Sequence, residues 1–171
     1  NSDSTMTEDE IHAVLAEGTS SGAIEKNEHT MIRNLFRLDD RQISSLMVPR
    51  SDVVCLDISL SFEENMAILE SQNQARYPVI DGNFENLLGV VNSRQWLASA
   101  LKGKRDLRDT PELIEKPVYI PETITGMELL ESFKLSGAPM AFVIDEYGEV
   151  QGIVTVRDLT EAITGESVTE D

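Results

Sequence analysis

The chain repeats itself. Val79-Ile80-Asp81 recurs as Val143-Ile144-Asp145, and Gly89-Val90-Val91 recurs as Gly152-Ile153-Val154, at an offset of 63 to 64 residues. The one-residue slip falls in a turn. Such a period constrains the fold more than any composition does, because equivalent units bury equivalent faces. Two copies of one supersecondary unit, packed about a pseudo-twofold axis, are therefore expected.

The hydrophobic pattern says what the unit is. Short apolar runs at Val53–Leu56 and Val118–Ile120 open the two copies. An amphipathic helix follows in each, through Leu60, Met66 and Leu69 in the first and Ile124, Leu130 and Phe133 in the second. Next come two strands joined by a turn. Asp81-Gly82-Asn83 links Tyr77–Ile80 to Leu87–Val91, and Asp145-Glu146-Tyr147-Gly148 links Ala141–Ile144 to Val150–Val154. Asp with Gly between apolar runs is a hairpin signal. Helices over Arg94–Leu101 and Arg157–Ile163 close the copies, with Asp109-Thr110-Pro111 in the linker. The fold class is α/β (α+β): two β-α-β-β-α repeats, with sheets at the core and helices outside.

A helical arm precedes the repeats. Thr7 with Glu10 three residues on is a capping box for a first helix running to about Glu17, where Gly18 reads as its C-cap. A second helix is expected from about Glu25 to Phe36, with Met31, Ile32, Leu35 and Phe36 on one stripe. A third, short helix carries Ile43, Leu46 and Met47 and is stopped by Pro49. The stripes require a partner surface: the main domain, a second chain, or a further part of a longer protein.

Several function classes are disfavoured. The 171 residues hold no run of about 18 apolar residues, so no bilayer-spanning helix is expected. Asn1-Ser2-Asp3-Ser4 is not the basic-then-apolar opening of a secretory leader. A formal net charge of −17 repels nucleic-acid backbones and anionic membrane surfaces. The single Cys55 forms no intrachain disulfide, which suits a reducing compartment. His12 and His29 have no partners at metal-ligand spacing, and no phosphate-loop or dinucleotide fingerprint occurs. Gly18-Thr19-Ser20-Ser21-Gly22 fits G-x-S-x-G, but a nucleophile elbow requires a strand before it, and helical spacing precedes this one. No catalytic constellation is present, so the chain is not expected to be an enzyme.

A tandem β-α-β-β-α repeat of this length resembles a pair of CBS domains, over about residues 46–165. Gly152-Ile153-Val154-Thr155-Val156-Arg157-Asp158 matches that family's nucleotide motif, G-h-h-[ST]-x-x-[DN]. Met47-Val48-Pro49-Arg50-Ser51-Asp52-Val53 resembles the entry segment of the CorC/HlyC and cyclin-M group. Phe142–Gly148, Ile163-Thr164-Gly165-Glu166 and the arm's Glu17–Glu25 run are similar to that group too. The resemblance implies an arm over 1–46 that joins an absent transmembrane domain, CBS domains over 47–108 and 109–166, and a tail over 167–171.

It also implies a ligand: AMP, ADP or ATP, with Mg²⁺ easing the repulsion between phosphates and an acidic chain. Gly152 allows close backbone approach, and Ile153 follows it on the strand. Thr155, where strand gives way to helix, offers its hydroxyl and nearby N–H groups to a phosphate. Asp158 accepts hydrogen bonds from a ribose diol, as an acid does in dinucleotide folds. Taken alone, the heptapeptide reads instead as an N-cap with a first-turn acid. The first repeat departs from the motif, with Asn92 for Thr155 and Gln95 for Asp158, so one competent site is expected, in the second. Arg76-Tyr77-Pro78 occupies a place that often faces the nucleotide in CBS proteins. Arg76 would pair with a phosphate and Tyr77 or Pro78 with adenine, unless Tyr77 is core and Arg76 a surface charge. The implied role is a nucleotide-sensing, cytoplasmic regulatory module of a cell-membrane protein of the magnesium and cobalt efflux or haemolysin-like kind, forming a homodimer. The alternative is a dimerisation scaffold with a vestigial site.

Overall fold

Both repeats build the same sheet, and each takes its fourth strand from the segment leading into the other. The computed structural model describes residues 6–165; the expected tail over 167–171, Glu166 and the opening Asn1–Ser4 lie outside the described residues. The first sheet is ordered β2 (Leu56–Asp57), β3 (Arg76–Asp81), β4 (Asn83–Asn92), β5 (Ile114–Glu115). β2 and β3 are parallel, while β3 and β4, and then β4 and β5, are antiparallel. The second is ordered β1 (Val48–Pro49), β8 (Val150–Thr155), β7 (Met140–Ile144), β6 (Tyr119–Pro121). β6 and β7 are parallel, and β1 runs antiparallel to β8, with Val48 opposite Ile153 and Pro49 opposite Gly152. Thus β5, which leads into the second repeat, completes the first sheet, and β1, which leads into the first repeat, completes the second. Gly89 makes one of these edges possible: at φ +153°, any Cβ there would run into the Glu115 carbonyl oxygen of β5.

By contact, the chain divides into two units that cut across the repeats. One holds residues 48–121 and 140–153; the other holds the arm up to Met47, Glu122–Pro139 and the chain from Val154. The first contains both sheets with α3 (Phe62–Ser71) and α4 (Ser93–Leu101). Strand alternation divides its core, since neighbouring residues of β4 point to opposite faces. Val91 joins Leu56, Tyr77, Val79, Trp96 and Leu107, against which Phe62 and Met66 of α3 pack. Val90 joins Phe142, Val150 and Ile153 of the other sheet. The buried Asn65 is satisfied by the backbone it spans, accepting from Asp57 N at 3.0 Å and donating to Asp57 O at 2.8 Å.

The second unit is helical: α1 (Glu8–Ser20), α2 (Lys26–Leu38), α5 (Gly126–Ser136) and α6 (Val156–Thr164). Thr7 caps α1, its hydroxyl accepting from Glu10 N at 3.2 Å. Gly18 is not the C-cap expected from the sequence. The helix runs on to Ser20, and the left-handed residue is Gly22 at φ +79°. Gly18 instead makes room for Ile24, whose Cδ1 would lie 2.7 Å from a Cβ there. Ser20 therefore ends a helix rather than standing on a strand-to-helix elbow. Along α2 the stripe is graded: Met31 stays exposed, Ile32, Leu35 and Phe36 are half-buried, and Leu38, beyond the expected helix end, is the fully buried residue. Leu60 likewise precedes α3 instead of lying on it and remains exposed. The expected third arm helix is a single 3₁₀ turn, Ile43–Ser45, with Ile43 buried.

Candidate functional site

The nucleotide-motif residues meet where β8 hands over to α6. Thr155 is the N-cap and Asp158 the N3 residue of a reciprocal capping box. Asp158 N donates to Thr155 Oγ1 at 3.1 Å, Thr155 N donates to Asp158 Oδ2 at 2.9 Å, and the Thr155 hydroxyl donates to the same oxygen at 2.9 Å. This satisfies N–H groups that a helix start leaves without partners and places a carboxylate at the positive end of the helix dipole. None of the three bonds uses Asp158 Oδ1.

Half-buried Asp158 also walls a cavity of about 420 Å³, along with Glu161 and Gly165 behind it and Asn34, Arg41 and Ser45 of the arm. That volume lies within the range of about 300–1,000 Å³ typical of small-molecule sites. Arg41 brings a cation, held by donation from Nε to Ser45 Oγ at 3.0 Å. Asn34 donates from Nδ2 to the Ile163 carbonyl in the last turn of α6, at 2.9 Å. Sequence reading missed all three arm residues. Nothing in a helix's own pattern says which distant helix it will touch, and Asn34 and Ile163 lie 129 positions apart.

The other expected site residues belong to the unit of the two sheets. Ile153 packs among Val90, Met140 and Phe142 and is buried. Tyr77 is a core residue: its ring is fully buried, and its hydroxyl donates to Gln72 O at 3.1 Å and accepts from Gln74 N at 3.3 Å. Of the two readings open for Tyr77, the buried ring fits the core one. Pro78 is buried beside it, while Arg76 is half-buried and registered opposite Asn92. In the first repeat Asn92 caps α4, accepting from Gln95 N at 3.1 Å, and Gln95 is exposed. The cap geometry of the motif recurs there without the carboxylate.

The histidines have local roles: His12 meets Phe36 edge-on at 5.5 Å, and His29 Nδ1 lies 3.1 Å from the Thr19 hydroxyl. Among the described residues no group of three or more His, Cys, Asp or Glu is arranged to hold a metal, and no helix is long and apolar enough to cross a membrane. Burial, with Asp57 nearby, pushes the Cys55 thiol up to about 12, which disfavours the reactive thiolate.

A family model described as "CBS domain" matches residues 43–100 and again 108–165. The chain is 31% identical, over 97% of its length, to the polyamine export protein of Haemophilus influenzae, covering 38% of that protein. It spans less than two-fifths of each of the first curated relatives it matches. Among solved structures it is similar to the CBS domain of the bacterial CNNM/CorC family Mg²⁺ transporter, at 28% identity and a TM-score of 0.82, covering 97% of this chain and 100% of that one. It is also similar to such a domain in complex with ATP, at 26% identity and a TM-score of 0.73, covering 81% and 98%.

Proposed function

Because the chain belongs to the CBS-domain family, with two copies in tandem, we propose that it is a regulatory adenine-nucleotide-binding module of a CorC/HlyC-type membrane transporter, working on the cytoplasmic side. The carrying observation is the shared cavity of Asp158 and Arg41. Asp158, steered by Thr155, accepts hydrogen bonds from a ribose diol through the oxygen its cap does not use. Arg41 faces the phosphates as the compensating charge. Thr155 acts chiefly by holding Asp158, since its hydroxyl proton is already committed. Arg76 and Pro78 remain candidate contacts by family position alone.

On this reading AMP, ADP or ATP binds one state of the module better than another and biases the parent protein through that difference. The proposed cargo is a cation: a relative is named for polyamine export and a structural neighbour for Mg²⁺ transport, and the family resemblance implies magnesium and cobalt efflux. A second reading, a homodimeric scaffold with a vestigial site, is favoured by the same capping box, because Thr155 and Asp158 satisfy each other without a ligand. Titration calorimetry of the purified chain with AMP, ADP and Mg-ATP separates the two. Saturable binding to one site supports the first reading. No heat with any of the three, together with a dimer in sedimentation, leaves the scaffold.

A further inference from the structure

We infer that the arm helix α2 is the element that senses occupancy of the cavity, and that Asn34 is the residue coupling it to the motif helix; this rests on the nucleotide reading above. Three observations carry it. First, Asp158 and Arg41 wall one cavity from two elements, α6 and the arm, so a ligand held by both bridges them. Second, α6 is a rod of nine residues whose first turn carries Asp158 and whose last turn is fastened to the arm by the Asn34–Ile163 bond of 2.9 Å. A displacement at one end of so short a helix is delivered to the other, since helices move as rigid elements. Third, Gly165 ends α6 in the left-handed conformation at φ +72°, and a Cβ there would lie 3.5 Å from Asn34 Nδ2. The arm amide thus stands within ordinary van der Waals reach of the residue that caps α6. An amide in the middle of an otherwise amphipathic helix, bonded to a carbonyl that the end of α6 leaves without a helical partner, is a connection between elements and not a local cap.

The test is amide hydrogen exchange in α2 with and without saturating AMP, alongside calorimetry, for the native chain and for Asn34→Ala, Asn34→Asp and Asn27→Ala. In the native chain AMP should slow exchange over Arg33–Leu38 by about tenfold or more, the range of ordinary coupling energies. Asn34→Ala should still bind AMP, with affinity lowered by about three- to tenfold, and the slowing in α2 should fall below about threefold. Asn34→Asp, which sets a carboxylate against a carbonyl, should lose the slowing as well. Asn27→Ala, at the exposed start of the same helix, should change neither. AMP binding to the native chain without slower exchange in α2 overturns the inference, and so does undiminished slowing in Asn34→Ala. The native-chain measurement decides the role of α2 whether or not the variants fold, and Asn34→Asp, equal in size to Asn34, decides the role of the amide if Asn34→Ala does not fold. Absence of calorimetric binding removes the nucleotide reading itself, and the coupling with it, which is a separate and recognisable result.

Discussion

Gly126 sits so close to the end of the arm helix that a Cβ added to it would lie 2.6 Å from the Leu38 carbonyl oxygen and 3.0 Å from Leu38 Cβ. The obstacle is backbone, which cannot swing aside. Gly126→Ala should therefore destabilise the chain by about 1–3 kcal/mol, the usual cost of overpacking, despite the gain in helix propensity. Gly18→Ala is the comparison. Its obstacle is the mobile tip of Ile24, so it should cost much less. Urea denaturation of the two variants checks the ranking, and equal midpoints would contradict it.

Asp158→Ala should lower nucleotide affinity by at least about tenfold, because hydrogen bonds to a charged group are worth roughly 1.5–3 kcal/mol. Thr155→Ile should do comparable damage by removing the hydroxyl that holds Asp158. Gln95→Ala, at the exposed counterpart in the first repeat, should do far less. Substitutions near the protein surface usually change stability little. The capping box changes that: losing the Thr155 or Asp158 side chain should also cost about 0.5–2 kcal/mol of stability. Asp158→Asn separates the effects, since it retains an acceptor for the cap while giving up the charge. Calorimetry paired with melting curves reads both. Binding abolished by Gln95→Ala and untouched by Asp158→Ala would move the site to the first repeat.

Removal of Mg²⁺ should weaken ATP binding much more than AMP binding. A chain of net charge −17 repels the extra phosphates, and Arg41 alone offsets little of that field. Titrations in EDTA against excess Mg²⁺ check it; equal loss for the two nucleotides would mean that the ion acts on the protein.

Asp57 provides a pH signature outside the proposed site. Burial raises its pKa, but this is outweighed by hydrogen bonds to its Oδ1 from Ser59 Oγ at 2.6 Å, Ser59 N at 2.9 Å and Gly82 N at 3.0 Å, and by Arg108 nearby, so the carboxyl is held below its ordinary value. With the folded pKa depressed, its stabilisation is complete above the unfolded value of about 4 and is lost as pH falls below that. Asp57→Asn should lower the melting temperature at neutral pH and flatten the acid limb of the stability curve. A difference from the native chain that stayed constant down to pH 2 would contradict the assignment.

The sequence made the repeats legible because each strand and helix carries its own periodicity. Among the described residues, six of the eight strands touch a segment marked by apolar runs; β1 and β5, two residues each, are too short to show any period, and their exchange between sheets is a long-range fact. Thr155 and Asp158 were legible as a motif, and their geometry as a cap follows from spacing alone. Tyr77 was ambiguous because an aromatic in a strand reads alike whether its neighbours are core or ligand. Arg41 and Asn34 were illegible for the same reason as the exchange: their meaning lies in what a distant helix brings to them.

The exchange also sets a schedule for synthesis. Pro49 of β1 leaves the ribosome roughly a hundred residues before Gly152, the residue it must pair with, and non-local pairings of this kind are slow to form. The first sheet can close once β5 has emerged, because the last of its four strands ends at Glu115. The second sheet cannot close until β8 has been made. A nascent chain halted inside the second repeat would thus hold one finished sheet and an unpaired β1, and limited proteolysis of such stalled chains should release a fragment containing β2 to β5 intact.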